Sequence, residues 1–157
     1  MIDPVEELKT RARVRLNAAR RADAATPLKL RDALHDVARE VGFAHWEHAR
    51  VVLSGAAARG DDMGTFWYAP STASLLNEWH ASVPAAQASR GDRRGLYLLP
   101  YKRQAVLVQA PFIRELGLDP ADGAWDEAGH DLAAAYGSPA WRRLAALRVR
   151  APRSSFA

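Results

Sequence analysis

The side chains able to do chemistry gather in a few stretches of the sequence. Asn77 and His80 stand three residues apart, Tyr101-Lys102-Arg103-Gln104 lies between two apolar runs, Gly129-His130-Asp131 interrupts an otherwise weakly polar region, and Trp67-Tyr68 adds aromatic surface. Imidazole exchanges a proton close to neutrality, which makes His80 the candidate general base and Asp131 the carboxylate that would orient it. Arg103 has the planar fork that clamps a carboxylate or phosphate. Trp67, Tyr68, Asn77, Tyr101, Gln104 and His130 would then supply the aromatic walls and convergent polar groups of a small-ligand cleft. Each of these residues also has a plainer role. His80 follows Trp79 at an apolar boundary, Asp131 has arginines to pair with, and Lys102 and Arg103 are the charges a solvated hairpin tip carries. Trp67 suits a core, while Asn77 and Gln104 can satisfy buried backbone groups.

No short motif with a defined mechanism is present. The ten glycines never fall into a phosphate-binding loop, and there is neither a Gly-x-Ser-x-Gly elbow nor a His-Glu-x-x-His helix. His45 and His48 have metal-like spacing, but two ligands do not make a zinc site, so no metal and no cofactor are expected. Cysteine is absent, which excludes disulfides and thiolate-held metals. The Arg90-Gly91-Asp92 triplet reads as turn chemistry.

The element that must position these groups is the stretch 95–109. Leu96-Tyr97-Leu98-Leu99 and Ala105-Val106-Leu107-Val108 are of strand length, flank the polar turn and do not alternate, as expected of a hairpin covered on both faces. Residues 65–69, aromatic and β-branched between Gly64 and Pro70, read as a short strand of the same sheet. Residues 70–83 read as a helix, with Leu75, Leu76, Trp79 and Val83 on one face and Asn77 and His80 on another. Ser82-Val83-Pro84 ends or recaps it, and residues 85–89 can continue helically. Further helices are expected from Pro111 to Leu116, over 125–136, and after Gly137-Ser138-Pro139, where Trp141, Leu144 and Leu147 repeat; Pro152 onward should fray.

Before the hairpin, Asp3-Pro4 opens a helix expected to run to about Arg21, with an apolar stripe of Val5, Leu8, Ala12, Leu16 and Ala19 and many arginines on its remaining surface. Thr26-Pro27 signals a second helix, closed by Gly42 and Phe43 in a Schellman stop, and a third starts near Ala44 and ends before Gly55. Across Ala38-Arg39-Glu40-Val41-Gly42-Phe43-Ala44-His45-Trp46 the chain resembles a short helical module of bacterial proteins that often stands beside ankyrin repeats and other domains. The resemblance spans about 28–53 and implies a structural or interaction role, with no catalytic residues to carry over.

With 157 residues, 48% hydrophobic and 25% charged, the chain is long enough for a core without staples. Glu6 and Glu7 stand where an export signal would be basic, and no segment has the roughly 18 apolar residues of a membrane span, so a cytoplasmic location is expected. The expected architecture is α+β: a helical module over 1–55, a link over 54–63, a small α+β domain with about three antiparallel strands over 64–150, and a tail over 151–157. The leading functional expectation is a binding or protein-interaction protein. A hydrolase- or transferase-like enzyme with a cleft near His80, Arg103 and Asp131 is the alternative. A formal net charge of +4 and arginine-rich helices admit a nucleic-acid-binding regulator as a further one.

Overall fold

The structure is a computed structural model that describes residues 3–157, so Met1 and Ile2 of the expected 1–55 module lie outside the described residues. Among the described residues, seven α-helices and one three-stranded antiparallel sheet make the fold α+β. In α1 (Pro4–Ala22) the Asp3 carboxylate accepts the Val5 and Glu6 N–H groups, and Val5, Leu8, Ala12 and Leu16 are buried. α2 (Leu30–Glu40) begins later than the Thr26-Pro27 signal suggests. The Thr26 hydroxyl instead accepts the Leu28 N–H in a local turn, and Asp32 reaches back to the Lys29 N–H to start the helix. Gly42, at φ 97°, closes α2 as expected: its N–H reaches the Arg39 carbonyl and the Phe43 N–H reaches that of Ala38, completing a Schellman stop. α3 (Trp46–Leu53) follows at once, with Trp46 half-buried and Ala49, Val52 and Leu53 buried.

The sheet contains β1 (Glu78–His80), β2 (Tyr97–Tyr101) and β3 (Gln104–Val108), in the order β1-β3-β2. The β2–β3 hairpin is the one read from the sequence, and both faces are covered. Tyr97, Leu99, Val106 and Val108 face the main core, whereas Leu98, Ala105 and Leu107 pack with Ala86 of α4 (Val83–Arg90). α5 (Ala110–Glu115), α6 (Gly123–Glu127) and α7 (Pro139–Val149) complete the domain. The main cluster draws on α1, α2 and α3 as well as the hairpin and α5 to α7, so a single hydrophobic core spans the 54–63 link. None of the helices is long and apolar enough to cross a membrane, among the described residues.

Three elements differ from expectation. Residues 65–69 form a turn, not a strand: Thr65 donates to the Gly42 carbonyl, Tyr68 donates back to Thr65, and the Phe66 and Tyr68 carbonyls accept from the Arg148 guanidinium at 2.7 and 3.1 Å. The third strand instead comes from within the expected 70–83 helix. Pro70–Ser74 makes only a 3-10 turn, and residues 78–80 pair with 105–107 of β3. Leu76 is 87% exposed and Trp79 46%, so the apparent helical stripe is not a core face; the backbone of β3 had a stronger claim on this segment. The expected 125–136 helix stops at Glu127, because Gly129 (φ 65°) and His130 (φ 56°) are both left-handed. Asp131 then bridges to Leu98, extending the sheet beyond β2. Its carboxylate takes the Ala133 and Ala134 N–H groups that a helix would have used.

The tail does not fray. Arg148, fully buried, donates to the Ser155 carbonyl and hydroxyl, each at 2.7 Å, and lies 3.7 Å from the centre of the buried Phe156 ring. Leu147 of α7, by contrast, lies at the surface.

Candidate functional site

A cleft of about 260 Å³ opens where the hairpin turn, the 58–63 loop, the start of α4 and residues 132–136 meet. The turn is placed by two reciprocal backbone bonds, Met63 N–H to the Lys102 carbonyl (3.0 Å) and Lys102 N–H to the Gly64 carbonyl (2.8 Å). Lys102, at φ 53°, is the first residue of a two-residue loop, where a left-handed conformation matches the strand twist. Lys102, Arg103 and Gln104 therefore project along one rim, and Arg103 is steadied by donating to the Gly60 carbonyl at 2.9 Å.

Trp67, Trp141, Met63, Pro100, Leu132 and Val83 form the apolar walls. Gln87 of α4 lines the cleft and donates to Asp131 Oδ2 at 3.0 Å. Tyr136 closes the far side. Its hydroxyl donates to the Val52 carbonyl (2.6 Å) and accepts the Ala57 N–H (3.1 Å), and burial pushes its acidity range up, so it remains a neutral phenol. Arg59, Lys102 and Arg103 stand at the mouth against one carboxylate, Asp61, which is held by the Ala58 N–H. The cleft thus combines an apolar interior with a cationic edge, an arrangement that suits a small molecule with an apolar body and an anionic end.

Three of the candidate residues read from the sequence, Trp67, Arg103 and Gln104, line this cleft. The others lie elsewhere. Tyr68 and Tyr101 join Trp79 in an aromatic cluster with ring centres 5.0 to 6.2 Å apart. Asn77 donates its amide to the Thr72 carbonyl, and its carbonyl oxygen, like Nε2 of His80, is buried with no protein partner. His130 stacks on Tyr97 at 4.5 Å and contacts the Arg94 carbonyl and Asp126. That position is at the end of β2 away from the hairpin turn, roughly 13 Å along the strand.

His80 and Asp131 do not form an acid–base pair. His80 is on β1 and Asp131 flanks β2 on the opposite edge, three strand spacings or roughly 14 Å away. Asp131 is already occupied by Gln87 and two backbone N–H groups. The sequence reading missed Gln87, Arg59 and Tyr136. Gln87 left one signal, being the lone amide in an alanine-rich helical segment.

His45 and His48 border a shallower depression of about 370 Å³ beside the cleft, with Glu47, Asp61 and Asp62. Among the described residues no group of three or more histidine and carboxylate side chains could hold a metal ion. The arginines of α1 are partly committed within the fold: Arg11 donates to the Val149 carbonyl at 2.6 Å, and Arg15 pairs with Glu40 at 2.8 Å.

Compared with known proteins, the chain matches no family model, no curated protein and no solved structure.

Proposed function

We propose that this is a binding protein whose cleft takes a small amphipathic ligand, its apolar body between Trp67, Trp141 and Leu132 and its anionic end against Arg103, Lys102 and Arg59. The observation that carries the reading is the pairing of tryptophan walls with three cations at one mouth. At about 260 Å³ the cleft sits just below the roughly 300–1,000 Å³ of drug-sized sites, so the ligand is small. The enzyme reading has less support, because His80 and Asp131 are apart and neither faces the cleft as a base with an orienting partner. The nucleic-acid reading loses two of its cations, Arg11 and Arg15, to bonds within the fold.

The test uses 1-anilinonaphthalene-8-sulfonate, an aromatic anion, with its own fluorescence and that of the tryptophans as readouts. Saturable binding of one molecule per chain is expected, weakened at least about tenfold by Arg103→Glu through loss of a charge-assisted contact. Val83→Trp, which fills the mouth, should abolish it. Absent saturation, or binding unchanged in both folded variants, would overturn the proposal.

A further inference from the structure

Three of the five histidines meet where α2 joins α3, and each offers the same atom for the same purpose. Nδ1 of His35 accepts the Trp46 N–H at 2.9 Å, Nδ1 of His45 accepts the His48 N–H at 3.1 Å, and Nδ1 of His48 accepts the Ala44 N–H at 3.0 Å. The rings are close: His45 lies 6.5 Å from His35 and 6.0 Å from His48. Two of the satisfied donors belong to the first turn of α3, where serine, threonine or aspartate ordinarily serves as acceptor. An imidazole accepts a hydrogen bond only through an unprotonated nitrogen. All three bonds therefore require neutral rings. A proton on any Nδ1 sets two N–H groups against each other, and at two of the rings it also places a cation at the positive end of the α3 dipole.

His48 links this junction to the cleft. With Nδ1 accepting, Nε2 carries the hydrogen and donates to the Asp62 carbonyl at 2.7 Å, tying down the loop whose residues 58–61 and 63 form one wall. A protonated ring cannot turn Nδ1 away from Ala44 without withdrawing Nε2 from Asp62. We propose that His35, His45 and His48 form an acid-sensitive hinge between α2 and α3, whose protonation frees the 44–48 turn and releases the Asp62 wall of the cleft.

Charges of both signs surround the junction. On α2, Arg31, Asp32, Asp36 and Arg39 stand within four residues of His35, with Asp32 accepting the Lys29 N–H; on α3, Glu47 and Arg50 are paired with each other. From the loop, the Asp62 carboxylate is 4.0 Å from His48 Nε2 and Asp61 borders the same depression; from the hairpin turn, Arg103 borders that depression and Lys102 lines the next one beside His48. His35 and His45 have no carboxylate in salt-bridge contact, among the described residues. His130 is arranged differently, since both its nitrogens face acceptors, the Arg94 carbonyl and the Asp126 carboxylate.

Because each of the three bonds needs an unprotonated Nδ1, protonation and the closed turn exclude each other, so the turn should hold at neutral pH and open in acid. The effect on ligand retention rests on the proposed binding function; the hinge itself does not. Amide hydrogen exchange followed by NMR on the full chain without ligand, at pH 7.5 and pH 5.5, separates the two. Protection of the Ala44, Trp46 and His48 amides, corrected for intrinsic rates, should fall by roughly tenfold or more at the lower pH, the equivalent of one net hydrogen bond. In His45→Asn, whose side chain caps a helix without titrating, the residue 48 amide should keep its protection. Unchanged protection of all three amides in the wild type, or equal loss at position 48 in His45→Asn, would overturn the hinge. If the amides respond while the anilinonaphthalene sulfonate fails to bind at either pH, the hinge stands and the binding function falls.

Discussion

At the start of α6, the Asp122 carboxylate caps the helix through the Ala124 N–H at 2.9 Å and pairs with the Arg143 guanidinium at 3.0 and 3.3 Å. Arg143 first, and the Ala124 N–H second, hold its acidity below the usual aspartate range. A group whose folded form prefers ionisation contributes stability above the unfolded carboxyl value of about 3.9 and loses it as pH falls through the lower folded value. Asp122→Asn keeps the cap and removes the charge. It should lower stability by less than about 1 kcal/mol at pH 7, because Arg143 is half exposed and solvent screens the pair. The gap between the two proteins should shrink steadily below about pH 4, as urea midpoints at several pH values would show; a constant gap would contradict this account. Arg148 is the opposite case. Burial brings its guanidinium down to about 9, yet it stays charged at neutral pH, surrounded by the carbonyls of Phe66, Leu116, Tyr68 and Ser155.

Between elements, a close approach occurs at Gly42 and Gly64, where the α2–α3 junction meets the 64–68 turn. A β-carbon on Gly42 would lie 2.7 Å from the Thr65 hydroxyl and 2.8 Å from the Phe66 nitrogen, at φ 97°. Gly60, at φ 88°, has nothing within 4 Å of the same position. Alanine at residue 60 should therefore cost only the backbone strain, about 1 kcal/mol, and alanine at residue 42 at least about 2 kcal/mol more, since backbone must move. Denaturant midpoints of the two variants give the comparison directly. Equal costs would show that the contact is not tight.

At the scale of the whole molecule, the last residues are tied into the core. Ser155 and Phe156 are buried, and Ser155 supplies two of the oxygens that Arg148 uses. Arg153, two residues earlier, shares Glu40 with Arg15, so α1, α2 and the tail meet at one carboxylate. Deleting residues 153–157 leaves a buried cation short of acceptors and exposes the Phe66 side of the core. We expect a loss of roughly 3 kcal/mol, measured by chemical denaturation. A loss below about 1 kcal/mol would mean that water replaces Ser155 without penalty.

Local rules written into the residues determined much of this fold. The Asp3-Pro4 cap, the Gly42-Phe43 stop and the 95–109 hairpin all appear where those residues require them, because capping and left-handed stops are settled by near neighbours. The turn residues Arg103 and Gln104, and the aromatic Trp67, could also be picked out beforehand as cleft residues. What the sequence could not supply were the long-range competitions. β3 drew residues 78–80 out of a helical pattern, Arg148 took the carbonyls of 66 and 68 from a strand, and Asp131 traded a helix for a bridge to Leu98. Those same events separated His80 from Asp131 and brought Gln87 and Tyr136 to the cleft. Side-chain identity marked which groups could act; only tertiary hydrogen bonding decided which of them meet, since each partner lies tens of residues away and many pairings satisfy the same local pattern.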